Sequence, residues 1–169
     1  MEFKRILHEL TTFEVEFVVI GGIAAAAQGS VRPTYDLDIC YNRTQENLER
    51  IVNTLAPLKP RLRDAPEYLP FLWDTRTLQQ GLNFTLQTEY GAIDLLGEVA
   101  GLGIYERVLN VSEIVDFEGT PIKILTLDGL IIAKRATGRV RDLEQLLELE
   151  ALLELRKQLV DDPESSDPK

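Results

Sequence analysis

The pattern of apolar and polar positions divides the chain into short helical and extended segments. Phe3, Ile6, Leu7 and Leu10 recur at helical spacing and predict a first amphipathic helix. Residues 17–20 (FVVI) are uninterrupted apolar and predict a short buried strand, broken by Gly21 and Gly22. Residues 23–28 (IAAAAQ) favour a compact helix with Gly29 as its stop. Residues 35–41 (YDLDICY) alternate and predict a second strand. Thr44 is placed to cap a helix whose Leu48, Ile51, Val52 and Leu55 share one face. Residues 56–70 carry Pro57, Pro60, Pro66 and Pro70 and predict a loop or extended segment. Residues 83–88 and 92–96 predict a hairpin turning through Glu89, Tyr90 and Gly91, and residues 99–106 a glycine-rich turn region. A further strand at 122–125 precedes helices at 128–137 and 140–159, split at Gly138. The polar segment 161–169, with Pro163 and Pro168, predicts a disordered tail. The expectation is a single mixed α/β (α+β) domain over residues 1–160.

Composition supports a globular chain. Of 169 residues, 44% are hydrophobic and 27% charged, near the averages for folded domains. Acidic residues outnumber basic ones by 28 to 18, for a net charge of −10. That balance argues against a generic duplex-DNA coat, which needs many exposed cations to displace counterions. One cysteine, Cys40, excludes an intramolecular disulfide. No stretch is long and apolar enough to predict a membrane span, and residues 17–27 lack the pattern of a secretory leader, so a cytoplasmic location is expected.

Chemistry concentrates in one ordered set of residues. Asp36 and Asp38 alternate with Leu37 and Ile39, so both carboxylates leave the strand on one face, about 6.6 Å apart along it. Like charges so placed raise one another's pKa unless a cation lies between them. Asp94 is the lone charge in an apolar strand (AIDLL), a costly position unless paired or metal-bound. Hard oxygen donors select Mg²⁺ or Mn²⁺. Three strand-borne aspartates suit two such ions, roughly 3.5–4 Å apart, as used for nucleotidyl transfer. Gly21 and Gly22, between a strand and a helix, allow backbone to approach a phosphate. Read singly, each element has an ordinary alternative: a solvated DxD turn, a glycine break, an aspartate capping a loop.

The ordered set Gly21-Gly22, Asp36-Leu37-Asp38-Ile39 and Asp94 resembles the polymerase-β-type nucleotidyltransferase superfamily. More closely, the chain resembles small bacterial nucleotidyltransferase-like proteins related to the AbiEii toxin group. That second likeness rests on Arg61-Leu62-Arg63, Leu82-Asn83-Phe84-Thr85, the segment Ile93 to Glu98, Lys134, and Arg139 to Leu143. The resemblance implies the nucleotidyltransferase fold, a central mixed sheet flanked by helices, with helices at the C-terminus. It implies that Asp36 and Asp38 bind both metals, and that Asp94 binds the catalytic metal and helps activate an acceptor hydroxyl. An NTP would be the substrate, and a protein, a tRNA 3′ end or a small molecule the acceptor. A toxin–antitoxin role would add a cognate antitoxin.

Around this set, Arg32 and Thr34 are candidates for phosphate contact, as are Lys134, Arg139 and Arg141 near the predicted site. Surface pairing with nearby glutamates is the competing reading for these cations. Arg61 and Arg63 are candidates for an acceptor pocket or an exposed loop. Phe71, Trp73 and Tyr68 are read as packing rather than base stacking, and His8 and Cys40 as structural. The leucine-rich last helix is compatible with burial against the sheet or with an interface to a second copy or another protein. The competing functional class is therefore a non-catalytic module that keeps the fold and acts through partner binding.

Overall fold

The computed structural model describes residues 2–66 and 68–161. The apolar run becomes β1 (Phe17–Ile20), buried at all four positions. It lies beside β2 (Asp36–Tyr41), where Leu37 and Ile39 are fully buried and Asp36 and Asp38 only partly so. This is the alternation expected of a strand with one face in the core. β2 pairs antiparallel with β1 and parallel with β5 (Gly91–Leu96). β5 forms the expected hairpin with β4 (Asn83–Thr88).

The sheet extends outward from this centre. Beyond β4 lies the two-residue edge strand β3 (Arg61–Leu62). Beyond β1 lies β9 (Thr120–Leu125), parallel to it, and then β8 (Ser112–Phe117) as the opposite edge. The seven-stranded order is β3-β4-β5-β2-β1-β9-β8. A two-stranded ribbon, β6 (Glu98–Val99) with β7 (Gly103–Ile104), folds from residues that the sequence marks only as a turn region.

Helices cover this sheet. α1 (Phe3–Thr12) buries Ile6, Leu7 and Leu10 and meets β9 and α3 (Gln45–Leu55). Thr44 caps α3 as expected, accepting from the Asn47 backbone N–H. α2 (Gly21–Ala27) lies against β1 and β2. The glycine pair therefore begins this helix rather than standing outside it. α6 (Leu127–Thr137) touches α2 and ends at Gly138, whose φ of 59° is left-handed. α7 (Leu143–Asp161) packs on α6.

Two short helices were not legible as periodic segments. α4 (Thr75–Gln80) has a single buried residue, Leu78, and is held by Asp74 capping its N-terminus and by Arg43. The Arg43 guanidinium donates to the carbonyls of Leu78, Gln79 and Gly81. α5 (Tyr105–Asn110) buries only Tyr105 and Val108. The expected tail, apart from Asp161 at the end of α7, lies outside the described residues. No helix among the described residues is long and apolar enough to cross a membrane.

Candidate metal and nucleotide site

Parallel pairing of β2 with β5 sets Asp38 directly opposite Asp94, and Asp36 lies one alternation away on the same strand face. The result is a cluster in which one carboxylate oxygen from each of Asp36, Asp38 and Asp94 lies within 4.8 Å of the other two. The three aspartates therefore meet as the sequence pattern requires. Burial, together with the charges of Asp36 and Asp94, pushes the Asp38 carboxyl up to about 7, against the pull of the Gly22 N–H and Lys134. Burial also moves Asp94 upward, opposed by Arg63. Three carboxylates against one arginine leave a net negative, all-oxygen donor set, which suits a hard divalent cation.

The glycine pair has a tight geometric role. Gly21 has φ +63°, and a Cβ there would strike the Asp38 carboxylate, with Cγ at 2.7 Å. A Cβ on Gly22 would meet the Thr34 side chain, with its Cβ at 2.6 Å. Both glycines thus let this chain's own side chains approach the start of α2. Thr34 donates through Oγ1 to the Asp36 carbonyl at 3.1 Å, fixing the entry to β2.

A cleft of about 930 Å³ opens over the acids, between α2, the residues before β2, the end of β5 and α6. Gly21, Gly22, Arg32, Thr34, Lys134 and Arg139 all line it. Not every cation there is free to meet a ligand. Arg32 is bound to Glu144 at 3.0 Å and Glu148 at 3.1 Å, tying the residues before β2 to α7. Lys134 reaches into the cleft and pairs with Asp142 at 3.0 Å, with both side chains largely buried. Arg139 is exposed at the rim. Arg141 lies in the 3-10 turn Val140–Asp142, and its side chain is outside the description.

Arg63 is where the structure departs most from the sequence reading. Its Nη2 donates to Asp94 Oδ1 at 2.7 Å, and its Nη1 lies 3.6 Å from Asp36 Oδ2. It therefore sits within the acid cluster. Alternation was the available signal: Leu62 faces inward, so Arg61 and Arg63 leave on the other side. The surrounding prolines hid that this segment is a strand.

The remaining candidates lie outside the cleft. Trp73 packs on the core, as expected, and donates to the Val52 carbonyl at 3.0 Å, whereas Tyr68, expected to pack, is 87% exposed. Cys40 is fully buried, and burial pushes its thiol up to about 12. His8 is exposed on α1.

This mixed sheet with its flanking and C-terminal helices has the nucleotidyltransferase fold, by its likeness to solved structures. Solved structures of that fold superpose on nearly the whole chain. The lincosamide antibiotic adenylyltransferase LnuA, with lincomycin bound, aligns with a TM-score of 0.60 at 12% identity, over 89% of this chain and 96% of its own. The antibiotic-resistance factor ANT(2″)-Ia aligns with a TM-score of 0.54 at 16% identity, over 94% and 91%. A candidate nucleotidyltransferase from Thermotoga maritima gives 0.52 at 16% identity, over 95% and 91%. No family model matches the chain, and no curated protein matches it.

Proposed function

We propose that this protein is a divalent-metal-dependent nucleotidyltransferase that moves NMP from an NTP to an acceptor hydroxyl. The observation that carries the reading is the Asp36–Asp38–Asp94 cluster at the mouth of a cleft in this fold. Asp36 and Asp38 would hold two Mg²⁺ or Mn²⁺ ions, with Asp94 completing the ligand set of the one nearer the acceptor. When bound, the ions would supply electrophilic stabilisation of the transferring phosphoryl group and acidify the attacking hydroxyl.

The other steps belong to this chain's residues. The start of α2 orients Asp38 through the Gly22 N–H. Asp94, beside the ion nearer the acceptor, would take the acceptor proton. Lys134, steadied by Asp142, offers a point charge to the departing pyrophosphate, and Arg139 adds charge at the rim. Thr34 keeps the turn before β2 in register.

A small molecule is the acceptor that the fold neighbours favour, since a lincosamide adenylyltransferase with lincomycin bound spans nearly the same elements. The AbiEii likeness, and with it a protein or tRNA acceptor and a cognate antitoxin, rests on the sequence segments alone. A partner-binding role has one observation of its own. Leu143, Leu147, Leu155 and Leu159 are more than half exposed along α7.

Calorimetric titration of ATP with and without Mg²⁺ tests the reading, using Asp36→Ala and Asp38→Ala as controls. Mg²⁺-dependent binding that both substitutions abolish supports it. Binding that is absent, or indifferent to both changes, sinks it. Labelled-NTP transfer onto small molecules, RNA and protein then identifies the acceptor.

A further inference from the structure

We infer that Arg63 is an internal counter-ion that must leave the acid cluster before a divalent ion can enter, so that metal and nucleotide load together. The inference rests on the metal reading above and adds an order of events to it. The Arg63 guanidinium spans two of the three carboxylates, at 2.7 Å from Asp94 Oδ1 and 3.6 Å from Asp36 Oδ2. Only 23% of its side chain is exposed. Those oxygens are donors that a metal would use, and a guanidinium and a dication repel across so short a gap. The arginine and the ion are therefore alternative occupants of one place.

The surrounding structure lets the side chain withdraw without unfolding the sheet. The Arg63 backbone N–H donates to the Thr85 carbonyl at 2.9 Å, so the main chain stays anchored to β4. Arg63 stands between two cavities: the 930 Å³ cleft over the acids and a neighbouring one of about 470 Å³. Asp64, Ala65 and Pro66 line that second space together with Arg63 itself, so room for the side chain lies beside it. Asp64, immediately after Arg63, has a left-handed φ of 59° and lines both spaces.

What draws the guanidinium out follows from its chemistry. Its planar donor fork matches a phosphate as well as a carboxylate. A nucleotide entering the cleft offers phosphate oxygens to Arg63 just as the ions replace it on Asp36 and Asp94. Each ligand then removes the obstacle to the other, and the coupling is reciprocal.

Calorimetry with the full chain, using Mn²⁺ alone and then Mn²⁺ with α,β-methylene-ATP, reads the exchange. Without nucleotide, R63Q should bind Mn²⁺ about tenfold tighter than the unaltered protein. R61Q, the same charge change at an exposed arginine two residues away, should shift it by about twofold or less. With Mn²⁺ saturating, R63Q should bind the analogue about tenfold more weakly. R63K keeps the charge but cannot span two carboxylates, and should give a Mn²⁺ affinity between the two; it serves if R63Q fails to fold. Mn²⁺ affinity that R63Q and R63K leave unchanged, or that R61Q raises equally, overturns the exchange while leaving the metal reading standing. Failure of every variant to bind Mn²⁺ overturns both.

Discussion

Replacing Asp38 with Asn removes a charge that the metal-free fold tolerates poorly. The carboxyl stands at about 7, against its ordinary 3.8, because of burial and the neighbouring Asp36 and Asp94. A difference of about three pH units, at roughly 1.36 kcal/mol each, means that ionised Asp38 costs the native state on the order of 4 kcal/mol. The sign follows from proton binding. Between pH 4 and 7 the native state holds a proton that the unfolded chain has released, so stability falls as pH rises and levels off above 7. Asn does not titrate, and its carbonyl can still face the Gly22 N–H. The advantage of D38N should therefore grow by about 2–3 kcal/mol between pH 5 and pH 8. At about 2–4 °C per kcal/mol for a chain of this size, the Tm gap should widen by roughly 5–10 °C. The assay is thermal unfolding of both proteins in EDTA at the two pH values. Saturating Mg²⁺ at pH 8 should then raise the Tm of the unaltered protein and leave D38N nearly unmoved. A gap that is the same at both pH values, or a D38N protein less stable at pH 8, would refute the reasoning.

Other expectations test different parts of the structure. Gly21→Ala forces a left-handed backbone at φ +63° on a residue with a Cβ aimed at Asp38. It should cost about 1–2 kcal/mol from the backbone alone and weaken Mn²⁺ binding, as thermal unfolding and metal titration will show. Lys134→Ala removes the partner of Asp142 and should weaken ATP binding in the presence of Mg²⁺ by about tenfold, measured by calorimetry. Leu149→Ala, at a fully buried site on α7, should cost about 2–4 kcal/mol in chemical denaturation. Leu147→Ala, at a position 66% exposed, should change stability by about 0.5 kcal/mol or less.

The sequence made the site's acids legible because strand alternation is a strict rule. Once residues 35–41 are read as a strand, Asp36 and Asp38 must share a face, and Asp94 stands out as the charge in an apolar strand. Thr44 and Gly138 likewise mark helix ends through local chemistry that survives in the fold. What stayed hidden depends on contacts distant in sequence. Nothing local tells that Arg32 is held by glutamates of α7 rather than facing a ligand. Alternation gives the face of Arg63 but not its partner Asp94, because β3 is a two-residue strand that exists through its pairing with β4. β8 escapes the pattern because its outer edge leaves Ile114 exposed, blurring the alternation that marks a half-buried strand. α4 and α5 bury too few residues to show a period.

The direct opposition of Asp38 and Asp94 also bears on how the protein folds. The two residues become neighbours only when β2 and β5 pair in parallel, after α3, the proline-rich segment and β4 have been laid out between them. Closing so long a connection is an entropic cost met before any carboxylate pair exists to grip an ion. A divalent ion bound to these carboxylates would therefore be a time stamp for that pairing. If the strands meet after the rate-limiting step, added Mg²⁺ slows unfolding and leaves the refolding limb of a chevron where it was. If they meet before it, the refolding limb moves instead.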